Sequence, residues 1–257
     1  MSVDNRENLD IFNRVNRLVG SGIMQAIGGC RAVVFGVGGV GSWTAEALVR
    51  SGVGHITIVD ADTVAASNVN RQLMATTSTI GQSKVEVLAR RLKEINPDVA
   101  VDAREVLYTA DTACQFDLDG YDYVIDAIDS LAHKALLIRR ASASRATLFS
   151  SMGAAMKMDP TRIGVAEFWK VKGCPLAAAL RRKFKKSGEM PRRKFRCVYS
   201  DELLPNLGEA DDATGAMTFD KVALNGAMCH ITAIFGMTLA GLVMEDIYRK
   251  SKLNPYQ

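Results

Sequence analysis

The run VVFGVGGVGS, residues 33–42, carries an apolar strand pattern directly into four glycines in six residues. Glycine costs backbone entropy wherever it is fixed, so such a cluster marks a chain that must turn tightly or be approached closely. A helical pattern over 42–50 follows, then a second apolar strand over 55–59. Strand, glycine turn, helix and strand predict a βαβ unit with a right-handed crossover. The fold expected is therefore α/β, a doubly wound, Rossmann-like and mostly parallel sheet with its ligand at the carboxyl ends of the strands.

The remaining periodicity agrees. Helical spacing occupies 12–18, 84–95 (stopped before Pro97) and 131–142, with strand patterns at 99–103, 123–128 and 146–150. Beyond residue 150 the chain is less regular: a strand pattern at 163–169, a basic helix at 175–186 and a strand at 195–199. An acidic loop, GEADDATG at 208–215, then precedes a long apolar helix. Neither repeats nor a linker interrupt it, so residues 1–257 read as one domain, with a nucleotide-binding core over 1–150 and an irregular extension over 151–257.

Composition narrows the setting. Of 257 residues 48% are hydrophobic and 23% charged, as in a globular protein, and a net charge of +4 permits an anionic partner without demanding one. Five cysteines without a C-x-x-C pair argue against a disulfide framework and against structural zinc. The polar start MSVDNRENLDIF does not read as a signal peptide, so a cytoplasmic location is expected. The stretch 226–244 nearly has the length of a membrane span. Its histidine, two threonines and three glycines favour a buried helix or a subunit interface over a stable span.

At the strand-to-helix turn, Gly36, Gly38, Gly39 and Gly41 leave backbone N–H groups free to approach a phosphate at the positive end of the helix. Asp60 ends the second strand, where a carboxylate grips ribose hydroxyls. Asp62, Asn68, Arg71, Gln72 and Lys84 follow. Two fixed cations, Arg71 and Lys84, exceed what a nicotinamide dinucleotide requires and suit a triphosphate. Asp129, closing YDYVIDAID, is a candidate Mg²⁺ holder through water. Each of these residues also admits a reading as a surface charge or helix cap.

GVGGVGS, GVGHITIVDADTVAASNVNRQL, IGQSKVEVLARRLKEINP and VIDAIDS together closely resemble the E1-like adenylating superfamily, the MoeB/ThiF group, over residues 11–150. That resemblance implies ATP contacts, directly or through metal, from Gly39, Asp60, Asn68, Arg71, Lys84 and Asp129. It also implies a homodimer in which an N-terminal arginine, Arg14 or else Arg17, enters the partner's site. Arg14, Arg71, Lys84 and Asp129 are thus the catalytic candidates.

The second half lacks the two C-x-x-C pairs of that group and resembles the tRNA threonylcarbamoyladenosine dehydratase family instead. Lys134 after VIDAIDS, Gly153 after the next strand, DPTRI at 159–163, PLAAALR at 175–181 and CVYSDE at 197–202 carry the likeness. It implies attack of the threonylcarbamoyl carboxylate on the α-phosphate of ATP, then ring closure with net loss of water, on tRNA position 37. A sulfurtransferase-system protein is a further partner it allows.

The tract RRKFKKSGEMPRRKFR offers Arg181, Arg182, Lys183, Lys185, Lys186, Arg192, Arg193, Lys194 and Arg196 to RNA phosphates, with Phe184 or Phe195 to stack on a base. The competing reading is a solvated helix face. Cys197 reads as a packed strand cysteine rather than a nucleophile, and His55, His133 and His230 receive no role. Three other functions stay open: adenylation of a ubiquitin-like or sulfur-carrier C-terminus, a non-catalytic nucleotide-binding adaptor, and, more remotely, an NAD dehydrogenase.

Overall fold

The computed structural model describes residues 11–208 and 225–253. Seven strands form one sheet: β1 (Arg31–Phe35), β2 (His55–Val59), β3 (Ala100–Arg104), β4 (Tyr123–Asp126), β5 (Thr147–Ser151), β6 (Ile163–Glu167) and β7 (Arg196–Ser200). Their order is β3-β2-β1-β4-β5-β7-β6, parallel throughout except for β6, which runs antiparallel to β7. The chain starts at β1, builds outward to β3, then crosses back to β4. The topological switch point therefore lies between β1 and β4, above Phe35 and its register partner Asp126.

Helices α1 (Asn13–Val19), α2 (Ser21–Gly29), α3 (Gly41–Arg50), α4 (Lys84–Ile95), α5 (Leu131–Ala141), α6 (Pro175–Ser187) and α7 (Cys229–Leu253) cover the sheet. Alternation along β1 sends Ala32 and Val34 to one core and Val33 and Phe35 to the other. The first core packs under α3, α4 and α7, and the second under α5 and α6. Both faces of β1 and β4 are buried, which is why these strands read as continuous apolar runs.

Three features depart from the sequence expectation. Helix α2, in SGIMQAIGG, was not anticipated because its three glycines weaken helical propensity; packing against α7 supplies what propensity lacks. The strand expected over 163–169 stops at Glu167, whose carboxylate accepts the Trp169 N–H and starts a 3₁₀ turn. Helix α7 runs nine residues beyond the apolar stretch, through EDIYRKSKL, supported by the pairs Glu245–Arg249 and Asp246–Lys250. By length and composition α7 has the makings of a membrane span, yet half of its apolar window is buried, with Ile231, Phe235, Leu239 and Val243 fully enclosed. It is a core helix lying along α3. Of the acidic loop only Gly208 falls within the described residues.

Candidate active site

The glycine turn is built by four glycines with different duties. Gly36 takes φ +81°, donates its N–H to Val59 O at 2.8 Å, and passes so close to β4 that a Cβ would lie 2.8 Å from Ala127 O. A Cβ on Gly41 would lie 1.8 Å from Gly36 O, so α3 starts directly on the turn. These two glycines are demanded by the fold itself. Gly38 faces open space, its nearest neighbour being Gln72 Nε2 at 3.7 Å from a notional Cβ. Gly39 is wedged between Thr232 of α7, 3.1 Å from such a Cβ, and Arg71 Cγ, 3.4 Å away. The bare backbone that a phosphate would need is thus Gly38 and, on its open side, Gly39.

Asp60 anchors this turn. Its Oδ2 accepts the Val37 N–H at 2.8 Å and its Oδ1 the Asp62 N–H at 2.9 Å. Burial pushes its carboxyl pKa up, and the Lys84 ammonium opposes that. Each oxygen keeps a further lone pair for a ribose hydroxyl. Lys84 is buried at the first turn of α4, its Nζ 2.7 Å from Asp62 Oδ2, while its backbone N–H bonds to Asp62 O at 3.1 Å. The segment from Asp62 to Lys84 is thereby closed into a loop whose buried cation faces the strand ends.

Within that loop a 3₁₀ turn at Ala66–Asn68 sets the remaining groups. Asn68 Oδ1 accepts the Ala65 N–H at 3.1 Å, and Asn68 O accepts the N–H of Gln72 at 2.9 Å and of Arg71 at 3.1 Å. The Arg71 guanidinium, half-buried, uses one nitrogen on Ser67 O (2.8 Å) and Asn70 Oδ1 (2.9 Å) and keeps its other donors. Gln72 is buried with its Nε2 toward Gly38, and its Oε1 has no hydrogen-bond partner among the described residues. An orphaned acceptor at the site is what a donor group on a bound ligand would complete.

Asp129 follows the carboxyl end of β4, exposed and with no partner among the described residues. No cluster of three His, Cys, Asp or Glu side chains exists among the described residues. A lone exposed carboxylate suits Mg²⁺, which is commonly held by one or two carboxylates plus substrate phosphates, and does not suit zinc. Arg14, exposed on α1, is not brought to this site. Helix α1 lies at the opposite end of the sheet, with Phe12 beside Gly52 just ahead of β2.

Beneath the site is a cluster of which sequence reasoning singled out only Lys134, as a family mark without a partner. Asp126 and Lys134 are fully buried, 2.9 Å apart, and Ser150 Oγ donates to Asp126 Oδ2 at 2.6 Å. Asp126 Oδ1 accepts the Ile128 N–H at 3.2 Å, while Lys134 Nζ donates to Ile128 O at 2.9 Å. Both backbone polar groups of Ile128 are held, fixing the chain immediately before Asp129. Burial pushes the Asp126 carboxyl up, and Lys134 pulls against it. The signal was present in VIDAIDS, but a strand drawn to 128 hid Asp126 as one more strand position; the strand stops at Asp126.

The basic tract divides. Arg181 donates to Phe168 O (3.1 Å) and Val171 O (2.9 Å). Arg193 caps the end of α5 by donating to the carbonyls of Ser142, Ser144 and Ala146. Arg196 pairs with Glu245 at 2.9 Å and lies over the Phe149 ring. These three are engaged by carbonyls or a carboxylate within the fold. Arg182, Lys183, Lys185, Lys186, Arg192 and Lys194 are exposed and unpaired among the described residues. Phe184 and Phe195 are buried against Phe168, so neither ring is available to stack on a base. Cys197 is enclosed and its thiol pKa pushed well above normal by burial, as a packed cysteine requires. His230 Nε2 lies 2.9 Å from Met158 O, a structural contact.

The ThiF family model matches residues 12–253. The tRNA threonylcarbamoyladenosine dehydratase of Bacillus subtilis is 43% identical over 244 residues, spanning 93% of this chain and 94% of its own. Among solved structures, Escherichia coli tRNA N6-threonylcarbamoyladenosine dehydratase in complex with ATP superposes with a TM-score of 0.82 at 35% identity, covering 94% of this chain and 95% of its own. The same enzyme in complex with AMP gives 0.83 at 34% identity over 98% and 99%.

Proposed function

The chain belongs to the ThiF family and, within it, to the tRNA threonylcarbamoyladenosine dehydratases, and we propose that the glycine turn and the Asp62–Lys84 loop form its ATP site. It is an ATP-dependent enzyme that removes one water from N6-threonylcarbamoyladenosine at position 37 of tRNA. The likeness to the dehydratases carries this reading because it runs through the extension as well as the nucleotide half, whereas the nucleotide half alone would suit any carboxylate-adenylating relative.

The substrate carboxylate attacks the α-phosphorus of ATP and pyrophosphate departs, giving an acyl adenylate. The neighbouring carbamoyl group then attacks the acyl carbon, AMP leaves, and the ring closes. An ionised carboxylate needs no general base, so the protein's task is to hold charge and align the reactants. Gly38 and Gly39 offer backbone N–H groups, Gln72 its amide, Arg71 and Lys84 their positive charge, and Asp60 holds the ribose. Asp129 would hold Mg²⁺, which supplies charge neutralisation on the phosphates when bound. Arg14 is reserved for the site of a second copy, since its own helix stands at the far end of the sheet. A homodimer, a cytoplasmic location and an occasional sulfurtransferase-system partner complete the reading. Arg182, Lys183, Lys185, Lys186, Arg192 and Lys194 are the proposed tRNA phosphate contacts.

The test is mass spectrometry of tRNA nucleosides after incubation with protein and Mg-ATP. Loss of one water from the threonylcarbamoyl nucleoside, abolished by Arg71→Ala, is expected. No loss with wild type, or ATP–pyrophosphate exchange that needs a small Gly-Gly-ending protein and ignores modified tRNA, would overturn the assignment.

A further inference from the structure

The apolar helix α7 does more than fill the core. Its first turns sit on the nucleotide turn. A Cβ on Gly236 would lie 2.6 Å from Val40 O and 2.7 Å from Trp43 Cβ, so α7 and α3 meet backbone to backbone there. Thr44 Oγ1 bridges that contact, 3.0 Å from Val40 O and 3.2 Å from Gly236 O. One turn earlier on α7, Thr232 abuts Gly39, and its Oγ1 lies 3.0 Å from Cys229 O and 3.5 Å from Arg71 O. From the other side the Trp43 indole donates to the same Arg71 O at 3.1 Å. Asn70 Nδ2 donates to Ala227 O at 2.9 Å, tying the residue before Arg71 to the approach of α7.

We propose that Trp43 and Thr232 are positioning residues for Arg71, so that the N-terminal turns of α7 form a wall of the nucleotide site. One firm donor, the Trp43 indole N–H, and one weak one, the Thr232 hydroxyl proton that goes chiefly to Cys229 O, reach a single carbonyl, that of the residue whose guanidinium must face the phosphates. Neither side chain lies within 4 Å of a notional Cβ on Gly38. Their effect runs through the Arg71 backbone, which has no other tie to α3 or α7 in the form of a hydrogen bond among the described residues. This rests on the ATP-site reading and asks more of it: the third of the chain that looks least catalytic sets the geometry of the principal cation.

The experiment is steady-state AMP formation from Mg-ATP with tRNA carrying N6-threonylcarbamoyladenosine, comparing wild type, Trp43→Phe, Thr232→Val and Thr232→Ser. Trp43→Phe keeps an aromatic ring and removes the N–H; Thr232→Val keeps the shape and removes the hydroxyl. Losing one hydrogen bond that orients a catalytic group lowers kcat by roughly tenfold. The expected result is that fall for Trp43→Phe with the ATP KM changed less than about twofold, a smaller fall for Thr232→Val, and rescue by Thr232→Ser. In an Arg71→Lys background the fall from Trp43→Phe should vanish, because the pair acts as a unit. An equal fall in both backgrounds, or none in either, overturns the proposal. Should Trp43→Phe prove unstable by thermal melting, the Thr232 pair in the two backgrounds decides. Inactive wild-type protein would instead remove the ATP-site reading on which this depends.

Discussion

Replacing Lys134 with Met should be among the most damaging single changes in the described part of the chain, for an electrostatic reason. Lys134 and Asp126 are both fully buried, so neither charge retains water. Removing one member of such a pair costs about 3–5 kcal/mol, because the other charge stays buried and uncompensated. The lost donor to Ile128 O adds about 1 kcal/mol. Against a total stability of about 5–15 kcal/mol this leaves a folded but weakened protein.

The deficit should also depend on pH, with a determined sign. Burial already raises the Asp126 pKa, and without its cation the folded value rises further, while the unfolded value stays near about 3.9. Between those two values the folded variant binds a proton that the unfolded chain does not. Its stability therefore falls as pH rises through that window, by at most about 1.4 kcal/mol per pH unit. Urea unfolding at pH 5.5 and pH 8 measures this: the deficit should be smaller at pH 5.5. A second change, Asp126→Asn, should recover much of the loss at pH 8. A deficit below about 1 kcal/mol, one independent of pH, or one that the second change does not relieve would refute the buried-pair account.

Gly41→Ala should unfold or strongly destabilise the protein, its new methyl meeting Gly36 O, whereas Gly38→Ala should melt like wild type and lose ATP affinity in an equilibrium titration. Lys183→Ala with Lys186→Ala should weaken tRNA binding and flatten the plot of log affinity against log salt by about 0.7–0.9 per charge removed, with thermal stability unchanged. Arg193→Ala, by contrast, should lower stability by about 1–3 kcal/mol in urea titrations, since it strips the carbonyl partners at the end of α5. Of the five thiols, only the exposed Cys114 and Cys229 should react with a colorimetric disulfide reagent in the native protein. Raising the pH from neutral to about 9 should not release Cys30, pushed up to about 12 by burial and the nearby Asp122 carboxylate, or Cys197.

What the sequence revealed followed the range of the interaction involved. The βαβ order and the approximate bounds of α3, α4 and α5 rest on periodicity within a dozen residues, and they were legible. So was the group Asp60, Arg71, Gln72 and Lys84, because spacing after a glycine turn fixes which strand end each reaches. The reversal of β6 was not legible: it depends on register with β7 more than thirty residues on, where strand propensity is the same in either direction. Helix α2 was hidden for a related reason, its stability lying in α7 some two hundred residues away.

Charges mark the same boundary more sharply. Nine cations in one tract look alike as letters, yet Arg193 bonds to carbonyls about fifty residues earlier and Arg196 to a carboxylate about fifty residues later. A guanidinium that caps a helix and one that faces an RNA differ only in what the fold places beside them. Arg is well suited to both tasks, with five donors in a rigid fork, whereas Lys offers a compact, mobile charge. In this tract all three cations absorbed by the fold are arginines, and every lysine is left outside. The composition of a basic stretch therefore carries information that its charge count discards: where arginine and lysine mix beside apolar residues, the lysines are the better first guess for the electrostatic face. Exchanging Arg193 for Lys tests that reasoning directly, since charge is kept while the fork is lost. Unfolding free energy should fall nearly as far as with Arg193→Ala, and tRNA affinity should hold; full retention of stability would show that charge alone is what the end of α5 requires.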